Sequence, residues 1–390
     1  MNAEVNFSRI RVLLLEGFSR QSIIMMQALH DLGCHLATYN SSKLDPGFMS
    51  RYPDEKIIGF WNRSDEQASY KALLQFLKEH HYDVVIPLTD FSATMLARHK
   101  EEIMQYTHPA VNDWDVFMQA GDKLNTMLAC MENGVPCPKT LRSADSVEEI
   151  LASGIEYPYI IKPRIGYGSI GFHVIHSEDD LRRVFDKTAA ECGDMLVQEY
   201  IPQTDIQYKC EVFIDNNGEV KSAVVFDKTR WYPIDGGSTC CSASVDRPDI
   251  VESSTKLLKA MGWKGYGDVD LIQDPRDHVA KVMEINPRIT ASVKVCFAAG
   301  VDFARQIVEN ETGHPVTEYK DYEIDRRLRY MHTDLLWFLE SPDRFKAKPS
   351  WFSWRKTTDQ IWNPKDPMPW FGYTIEGLKK YKKEQNKRKR

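Results

Sequence analysis

A lysine and three glycines lie close together in the segment IIKPRIGYGSIGFHVI, residues 160–175, where Gly166, Gly168 and Gly171 match the pattern G-x-G-x-x-G. In a dinucleotide fingerprint such glycines lead from a strand into a helix, whereas the residues after Gly171 are aromatic and β-branched and predict a second strand. A P-loop is excluded because no Lys-Ser or Lys-Thr follows the last glycine. The pattern favours a β-hairpin whose backbone N–H groups cover phosphates beside Lys162, although a glycine-rich hairpin that binds nothing fits it equally well.

Oxygen donors occur further along the chain. Asp270 lies on one predicted strand, and Glu284 and Asn286 lie on the next, within the run EINPR. Because side chains on a strand alternate between its faces, Glu284 and Asn286 point the same way, and Asp270 can join them from the neighbouring strand. Carboxylate and amide oxygens are the ligands that magnesium prefers, with water and nucleotide phosphates completing its shell. Each residue alone is common on a surface, but the three in this order predict a magnesium–nucleotide site.

Roughly the first 110 residues predict an α/β domain, because apolar strand patterns alternate with helical ones. The predicted strands are 9–15, 35–39 and 82–87, and the predicted helices are about 22–32 and 66–80. No glycine pattern follows the first strand, so nucleotide binding is not predicted in this domain.

The central part predicts an α+β arrangement that is largely antiparallel. A helix begins near Asp122 and stops at Asn133, and a capping-box pattern at 177–180 predicts the start of another helix. The predicted strands are 158–162, 172–175, 195–201, 209–214, 220–227, 266–273 and 279–285, and the later helices are about 178–190 and 249–261.

Bulk composition indicates a soluble, cytoplasmic protein of two or three domains. The 390 residues exceed one ordinary core, and 42% are hydrophobic and 27% charged. No apolar run is long enough to span a membrane, and charges interrupt the short apolar stretch at the N-terminus, which argues against a signal peptide. The eight cysteines form no C-x-x-C pair, which favours reduced thiols over a zinc site or a disulfide framework. No nucleic-acid partner is expected.

Together these motifs resemble the ATP-grasp superfamily, of the carboxylate–amine ligase type, over about residues 9–310. The resemblance rests on Ile-Lys-Pro before the glycines, on Gln-Glu-Tyr-Ile-Pro at 198–202, on Glu-Ile-Asn-Pro-Arg at 284–288, and on the linker segments Asp-Lys-Leu and Gly-Val-Pro-Cys-Pro-Lys-Thr. It implies a Rossmann-like N-terminal domain, a two-lobed ATP-grasp fold with antiparallel sheets, and a C-terminal extension. The expected parts are an N-terminal α/β domain at 1–112, a linker helix with a lid subdomain at 113–192, a catalytic subdomain at 193–315, and an aromatic extension with a basic tail at 316–390.

The resemblance also implies roles for single residues. Two lysines, Lys123 and Lys162, would contact the phosphates of ATP. A phosphate flap would consist of Gly166, Tyr167, Gly168 and Ser169, and the hinge that reads adenine would consist of Gln198, Glu199, Tyr200 and Ile201. Asp205 stands where an acid often binds ribose, although Asp replaces the commoner Glu and Gln203 replaces the usual Gly. Mg²⁺ or Mn²⁺ would be held by Asp270, Glu284 and Asn286, and Arg288 would face the γ-phosphate and an acyl phosphate.

A second set of residues is a candidate for substrate binding. Arg230 lies at the end of a predicted strand, where an arginine can bind a carboxylate through two hydrogen bonds, and Lys228 lies two residues before it. The nearby run Gly-Gly-Ser at 236–238 offers backbone N–H groups to an anion. An ordinary surface loop fits these residues about as well.

The C-terminal region combines tryptophan with positive charge. Five of the nine tryptophans fall between Trp337 and Trp370, and the tail 379–390 has eight basic residues and one acid. An aromatic cluster packed on the catalytic domain, followed by a solvated tail, is one interpretation. A peripheral contact with a membrane or an envelope precursor is the other, because tryptophan beside lysine and arginine favours the membrane–water boundary.

Three function classes remain open at this point. The first is a ligase that joins a small-molecule carboxylate to an amine and releases ADP and phosphate. The second is an ATP-grasp kinase or phosphotransferase, and the third is a non-catalytic ATP-binding module. By resemblance, a homodimer is a further expectation.

Overall fold

The computed structural model describes residues 5–166, 170–202, 206–234, 238–375 and 377. Three sheets organise these residues: one of five strands, one of seven and one of three. The expected fold class, an α/β domain followed by largely antiparallel sheets, is confirmed.

The N-terminal domain is a parallel five-stranded sheet with helices packed against it. Its strands are β1 (Arg11–Leu15), β2 (His35–Asn40), β3 (Glu55–Ile58), β4 (Val84–Ile86) and β5 (His108–Pro109), in the order β3-β2-β1-β4-β5. Its helices are α1 (Arg20–Leu32), α2 (Pro46–Met49), α3 (Glu66–Glu79), α4 (Asp90–Arg98) and α5 (Lys100–Ile103). Residues 12–15 of β1 are all apolar because both faces of the strand are covered: Val12 and Leu14 pack in one core, and Leu13 and Leu15 pack in another.

A small antiparallel sheet follows the linker helices. The elements are α6 (Trp114–Gly121), α7 (Lys123–Glu132), α8 (Val147–Ala152), β6 (Tyr159–Pro163), β7 (His173–Ile175), α9 (Glu178–Cys192) and β8 (Met195–Glu199). The sheet order is β7-β6-β8, so the glycine-rich segment does connect two antiparallel strands. Helix α9 begins where the sequence predicts, because the Ser177 side chain accepts a hydrogen bond from the Asp180 backbone N–H.

The seven-stranded sheet forms the centre of the molecule. Its first strands are β9 (Gln207–Ile214), β10 (Val220–Tyr232), β11 (Ser238–Ser244), β12 (Gly265–Gln273) and β13 (Ala280–Asn286), with helix α10 (Pro248–Ala260) between β11 and β12. One face is apolar and packs against α7 and α10. Toward the N-terminal domain the sheet is covered by α11 (Lys294–Ala298) and α12 (Phe303–Glu311).

The C-terminal region adds structure that the sequence analysis does not predict. Strand β14 (Arg327–Arg329) pairs with β11, helix α13 (Met331–Glu340) packs on β10 and β11, and β15 (Thr357–Asp359) pairs with β14. The central sheet therefore includes strands that lie beyond residue 315. The predicted boundary between the catalytic subdomain, which ends at 315, and the C-terminal extension, which begins at 316, stays a prediction. No helix within the described ranges combines the length and the apolar character needed to cross a bilayer.

Arg230 faces this C-terminal region because of an irregularity between β10 and β11. Lys228 lies opposite Ser242, Arg230 opposite Cys241 and Trp231 opposite Thr239, so an extra residue in β10 just before Arg230 is followed by an extra residue in β11 just after it. Such a bulge turns the following side chain to the other face of the sheet. Arg230 accordingly binds the Asp334 carboxylate with its Nε at 2.7 Å and its Nη2 at 3.1 Å. The carboxylate that Arg230 binds among the described residues belongs to α13, and the role of Arg230 in substrate binding stays a prediction.

Asp334 also pairs with a second arginine. The Nε of Arg329 lies 2.7 Å from Asp334 Oδ2, and all three side chains of this cluster are buried. The guanidinium of Arg230 contacts the Trp337 ring at 5.2 Å, and that of Arg329 contacts the Trp351 ring at 4.9 Å. One carboxylate thus pairs with two buried cations and fixes α13 to the sheet.

We predict that Asp334→Asn lowers the free energy of unfolding by about 3–5 kcal/mol, because it leaves two buried guanidinium groups without a counter-charge. Urea unfolding followed by circular dichroism measures the change. The matched control is Asp343→Asn, which removes an exposed carboxylate paired with Lys346 and should cost no more than about 1 kcal/mol. Equal costs for the two variants would contradict the role assigned to Asp334.

Candidate functional site

The hairpin β12–β13 brings the three predicted oxygen donors together. Asp270 lies directly opposite Glu284, and Asp268 lies opposite Asn286. The Asn286 amide Nδ2 donates to Asp270 Oδ2 at 2.9 Å. The grouping predicted from strand alternation is therefore present, while the role of these residues as metal ligands stays a prediction.

Two lysines from the neighbouring strands reach the same carboxylate. The Lys228 Nζ lies 2.5 Å from Asp270 Oδ1, and the Lys209 Nζ lies 3.1 Å from Asp270 Oδ2. Lys209 also pairs with Asp268, which is fully buried. Burial alone would raise the pKa of Asp270, but Lys209 and Lys228 outweigh burial and lower it, so the carboxylate is ionised.

The donor set suits a hard divalent cation. One hairpin offers the oxygen atoms of Asp270, Glu284 and Asn286. Glu284 is partly exposed, so an ion can reach it from solvent. A carboxylate has about four lone-pair sites, so Asp270 can keep a lysine and still bind a metal. Within the described ranges, no group of three or more His, Cys, Asp or Glu side chains is arranged to hold a metal ion.

Lys123 stands at the start of α7, beside the glycine-rich segment. Its Nζ donates to the Gly166 backbone carbonyl at 2.7 Å and lies 3.7 Å from Glu284 Oε2. Arg164 anchors the segment through a charged hydrogen bond pair to Asp122, which also caps α7. The sequence predictions assigned no role at the site to Arg164 or Asp122. Asp122 directly precedes Lys123, the first residue of α7, and an aspartate at that position is a helix-cap signal.

Lys162 is buried on β6 without a hydrogen-bond or ion-pair partner among the described residues. Burial lowers the pKa of Lys162 to about 8, and the charge of Lys123 adds to this effect while Glu284 opposes it. A buried cation without a partner is a ready contact for a phosphate group.

The predicted adenine hinge lies at the end of β8. The Glu199 carboxylate accepts hydrogen bonds from the Lys139 backbone N–H at 2.9 Å and from the Arg276 Nη2 at 2.8 Å. Burial opposes ionisation of this carboxylate, but these donors lower its pKa. Gln198 donates to Thr140 at 2.9 Å, and its Oε1 is buried without a partner among the described residues. Ile201 is buried and Tyr200 is partly exposed.

Arg288 follows the hairpin and points to the N-terminal domain. Its Nε and Nη2 each lie 2.9 Å from the carboxylate of Asp90, the first residue of α4. The carboxyl ends of parallel strands are the usual ligand-binding edge of an α/β sheet. Glu16, just after β1, is buried at this edge and accepts from Trp61 Nε1 at 3.0 Å and from Arg63 at 3.1 Å. Sequence analysis missed Asp90 and Glu16, since single acids after strands carry no distinctive pattern.

Several predicted residues lie outside the described ranges. These are Tyr167, Gly168 and Ser169 of the flap, Gln203 and Asp205 near the hinge, and Gly236 and Gly237 of the candidate anion loop. Their roles stay predictions.

Comparison with known proteins identifies the central region. A family model described as "ATP-grasp domain" matches residues 120–292. The chain is 24% identical to the D-aspartate ligase of Enterococcus faecium over 337 residues, which cover 77% of each protein. It is 22% identical to biotin carboxylase 2 of Bacillus subtilis over 331 residues, which cover 80% of this chain and 73% of that protein.

Solved structures share the fold. Biotin carboxylase from Campylobacter jejuni, crystallised as a β-γ-ATP complex, superposes with a TM-score of 0.71 at 17% identity over 83% of this chain and 75% of that one. The ADP complex of N5-carboxyaminoimidazole ribonucleotide synthetase superposes with a TM-score of 0.65 at 15% identity over 86% of each chain.

We predict that ATP binding takes up a proton above pH 8 because of Lys162. The pKa of Lys162 in the free protein is about 8, so at pH 9 its ammonium is mostly deprotonated, and contact with phosphate recharges it. Calorimetry at pH 9 in two buffers of different ionisation enthalpy should show an uptake approaching one proton, and at pH 6.5 an uptake from this group near zero.

Lys162→Arg should remove this uptake, since a guanidinium stays charged throughout. Lys259→Arg, on an exposed position of α10, is the control and should leave it unchanged. Proton uptake that persists in Lys162→Arg would show that another group is responsible.

Proposed function

The chain contains an ATP-grasp domain over residues 120–292, and from that premise we propose that the protein is an ADP-forming ligase that joins a carboxylate to an amine. The observation that carries the proposal is the grouping of Asp270, Glu284 and Asn286 on one hairpin, with Lys123 3.7 Å from Glu284. Hard oxygens beside basic side chains suit a metal-bound nucleoside triphosphate.

The residues around this hairpin would position the triphosphate. Lys162 offers an unpaired buried cation, and Lys123 offers an ammonium beside the glycine-rich segment. Gln198 offers a buried carbonyl oxygen that can accept from the amino group of adenine. Asp270, Glu284 and Asn286 would hold Mg²⁺ or Mn²⁺, which would supply charge neutralisation for the phosphates when bound.

The proposed reaction has two steps. In the first, a carboxylate oxygen attacks the γ-phosphorus, the bond to the β–γ bridging oxygen breaks, and ADP leaves an acyl phosphate behind. In the second, the amine attacks the acyl carbon, phosphate leaves with the C–O bond electrons, and the amine nitrogen loses a proton. Charge accumulates on phosphoryl oxygens in both steps, and the cationic groups of Lys123, Lys162 and Arg288 would stabilise it.

Lys228 would lie between the metal site and the acceptor, because its Nζ contacts Asp270 while its strand continues toward the candidate anion loop. Binding of a metal to Asp270 would free this ammonium for the carboxylate or acyl phosphate. A role for Lys228 in substrate binding is thus compatible with its position.

The substrates proposed are a small carboxylic acid and a small amine. The similarity to a D-aspartate ligase makes D-aspartate and other amino acids the first compounds to test. Action in the cytoplasm and assembly as a homodimer are further parts of the proposal, and sedimentation of the purified protein tests the second.

We predict that purified protein releases ADP from Mg-ATP only when both an acid and an amine are supplied, and that Glu284→Gln lowers the rate by about 10²–10³-fold. A coupled ADP assay with pools of amino acids and small carboxylates measures the rate. Glu318→Gln, at an exposed position, is the matched control and should keep full activity.

Two outcomes would contradict the ligase assignment. ADP release with a single acceptor, together with a stable phosphorylated product, would establish a phosphotransferase. Measurable ATP binding without turnover, across pools that include amino acids and peptides, would establish a binding module.

A further inference from the structure

Exposed apolar side chains are concentrated in the C-terminal region. Ten of the twenty large hydrophobic side chains that are exposed within the described ranges lie between residues 335 and 375. The most exposed of them are Phe345 at 74%, Phe352 at 62% and Leu339 at 61%. Scattered exposed hydrophobic residues are normal, whereas a concentration of this kind marks an interaction surface.

Part of this set forms one continuous surface around Phe338. The Phe338 ring lies 5.6 Å from the rings of both Phe345 and Phe352. On α13, Leu335 and Leu339 are one turn apart, so they share a face of the helix that carries Phe338. We call this surface the apolar patch; its exposed members are Leu335, Leu336, Leu339, Phe345, Phe352 and Trp354.

The apolar patch stands on a rigid base. The inner side of α13 is fixed by Asp334, whose backbone carbonyl accepts from Trp351 Nε1 at 3.1 Å and whose carboxylate binds Arg230 and Arg329. The Arg329 guanidinium lies 4.5 Å from the Trp354 ring. The side chains of the patch are therefore held outward by buried contacts.

Positive charge surrounds the patch. Residues 341–356 contain five basic residues and one acid, although the whole chain has a net charge of −6. Lys348 and Arg355 are exposed and have no ion-pair partner among the described residues.

We propose that the apolar patch and its basic surroundings dock on the surface of an anionic phospholipid membrane. Leucine, phenylalanine and tryptophan enter the boundary between headgroups and acyl chains, while lysine and arginine bind anionic headgroups. This proposal is independent of the reaction proposed above and would place the protein at the surface of a membrane.

The chemistry of the surface favours this occupant over two others. Nucleic acids bind proteins through phosphate contacts and base stacking on aromatic rings, in which the leucines of α13 have no part. A second copy of the chain docking patch to patch would bring the two sets of basic residues together, which is unfavourable. An anionic bilayer matches both the apolar and the charged component.

Co-sedimentation of the full chain with vesicles tests the proposal. Binding is expected to vesicles of 70% phosphatidylcholine and 30% phosphatidylserine and not to pure phosphatidylcholine, and it should weaken with salt. Leu339→Gln with Phe345→Ser should reduce binding at least tenfold. Lys346→Gln with Lys348→Gln should reduce it by about fivefold per residue.

Matched controls separate this surface from general stickiness. Ile58→Gln with Phe60→Ser changes two exposed hydrophobic residues of the N-terminal domain, and Lys71→Gln with Lys259→Gln changes two exposed lysines elsewhere. Both should leave vesicle binding unchanged, and thermal melting should be the same for all four variants.

Three results would overturn the proposal. They are absence of binding to the anionic vesicles, binding that Leu339→Gln with Phe345→Ser leaves intact, and a dimer in solution that this same variant dissociates. Because vesicle binding is measured without substrates, failure of the ligase reaction would not affect the result.

Discussion

The Asp270 carboxylate is the contact on which the charged face of the seven-stranded sheet depends. Asp268 and Asp270 lie on one strand of a largely buried surface, where two carboxylates without counter-charges would be strongly destabilising. Lys209 reaches both of them, and Lys228 and Asn286 complete the partners of Asp270. Lys209 and Lys228 lower the pKa of Asp270 against the effect of burial and keep this carboxylate ionised, whereas burial raises the pKa of Asp268.

The same network explains how a metal and a substrate can compete for common side chains. With no cation present, the positive charge near Asp270 comes from lysine ammonium groups. A divalent ion beside Asp270 would repel them. If a metal were bound at Asp270, the Lys228 ammonium would be repelled from Asp270 and would be free to bind a substrate carboxylate.

Contacts between distant parts of the chain connect the central sheet and the C-terminal region to the N-terminal domain. Arg288, which follows the β12–β13 hairpin, pairs with Asp90 of the N-terminal domain. The C-terminal segment returns to the same domain, where Asp366 accepts hydrogen bonds from the Ser50 hydroxyl at 2.6 Å and from the Arg51 backbone N–H at 3.1 Å. The C-terminal region therefore connects the central sheet, through β14 and α13, to the N-terminal domain.

What the sequence by itself determined is local. A continuous apolar run located β1, a serine cap located α9, and strand periodicity put Glu284 and Asn286 on one face, because each of these signals involves neighbours in the chain. Tertiary structure decided the rest: the bulge that turns Arg230 to Asp334, the pairing of Arg288 with Asp90, and the addition of β14 and β15 to the sheet. Those contacts join residues that lie far apart in the chain, and a one-residue bulge reverses a side chain without leaving a recognisable pattern in sequence.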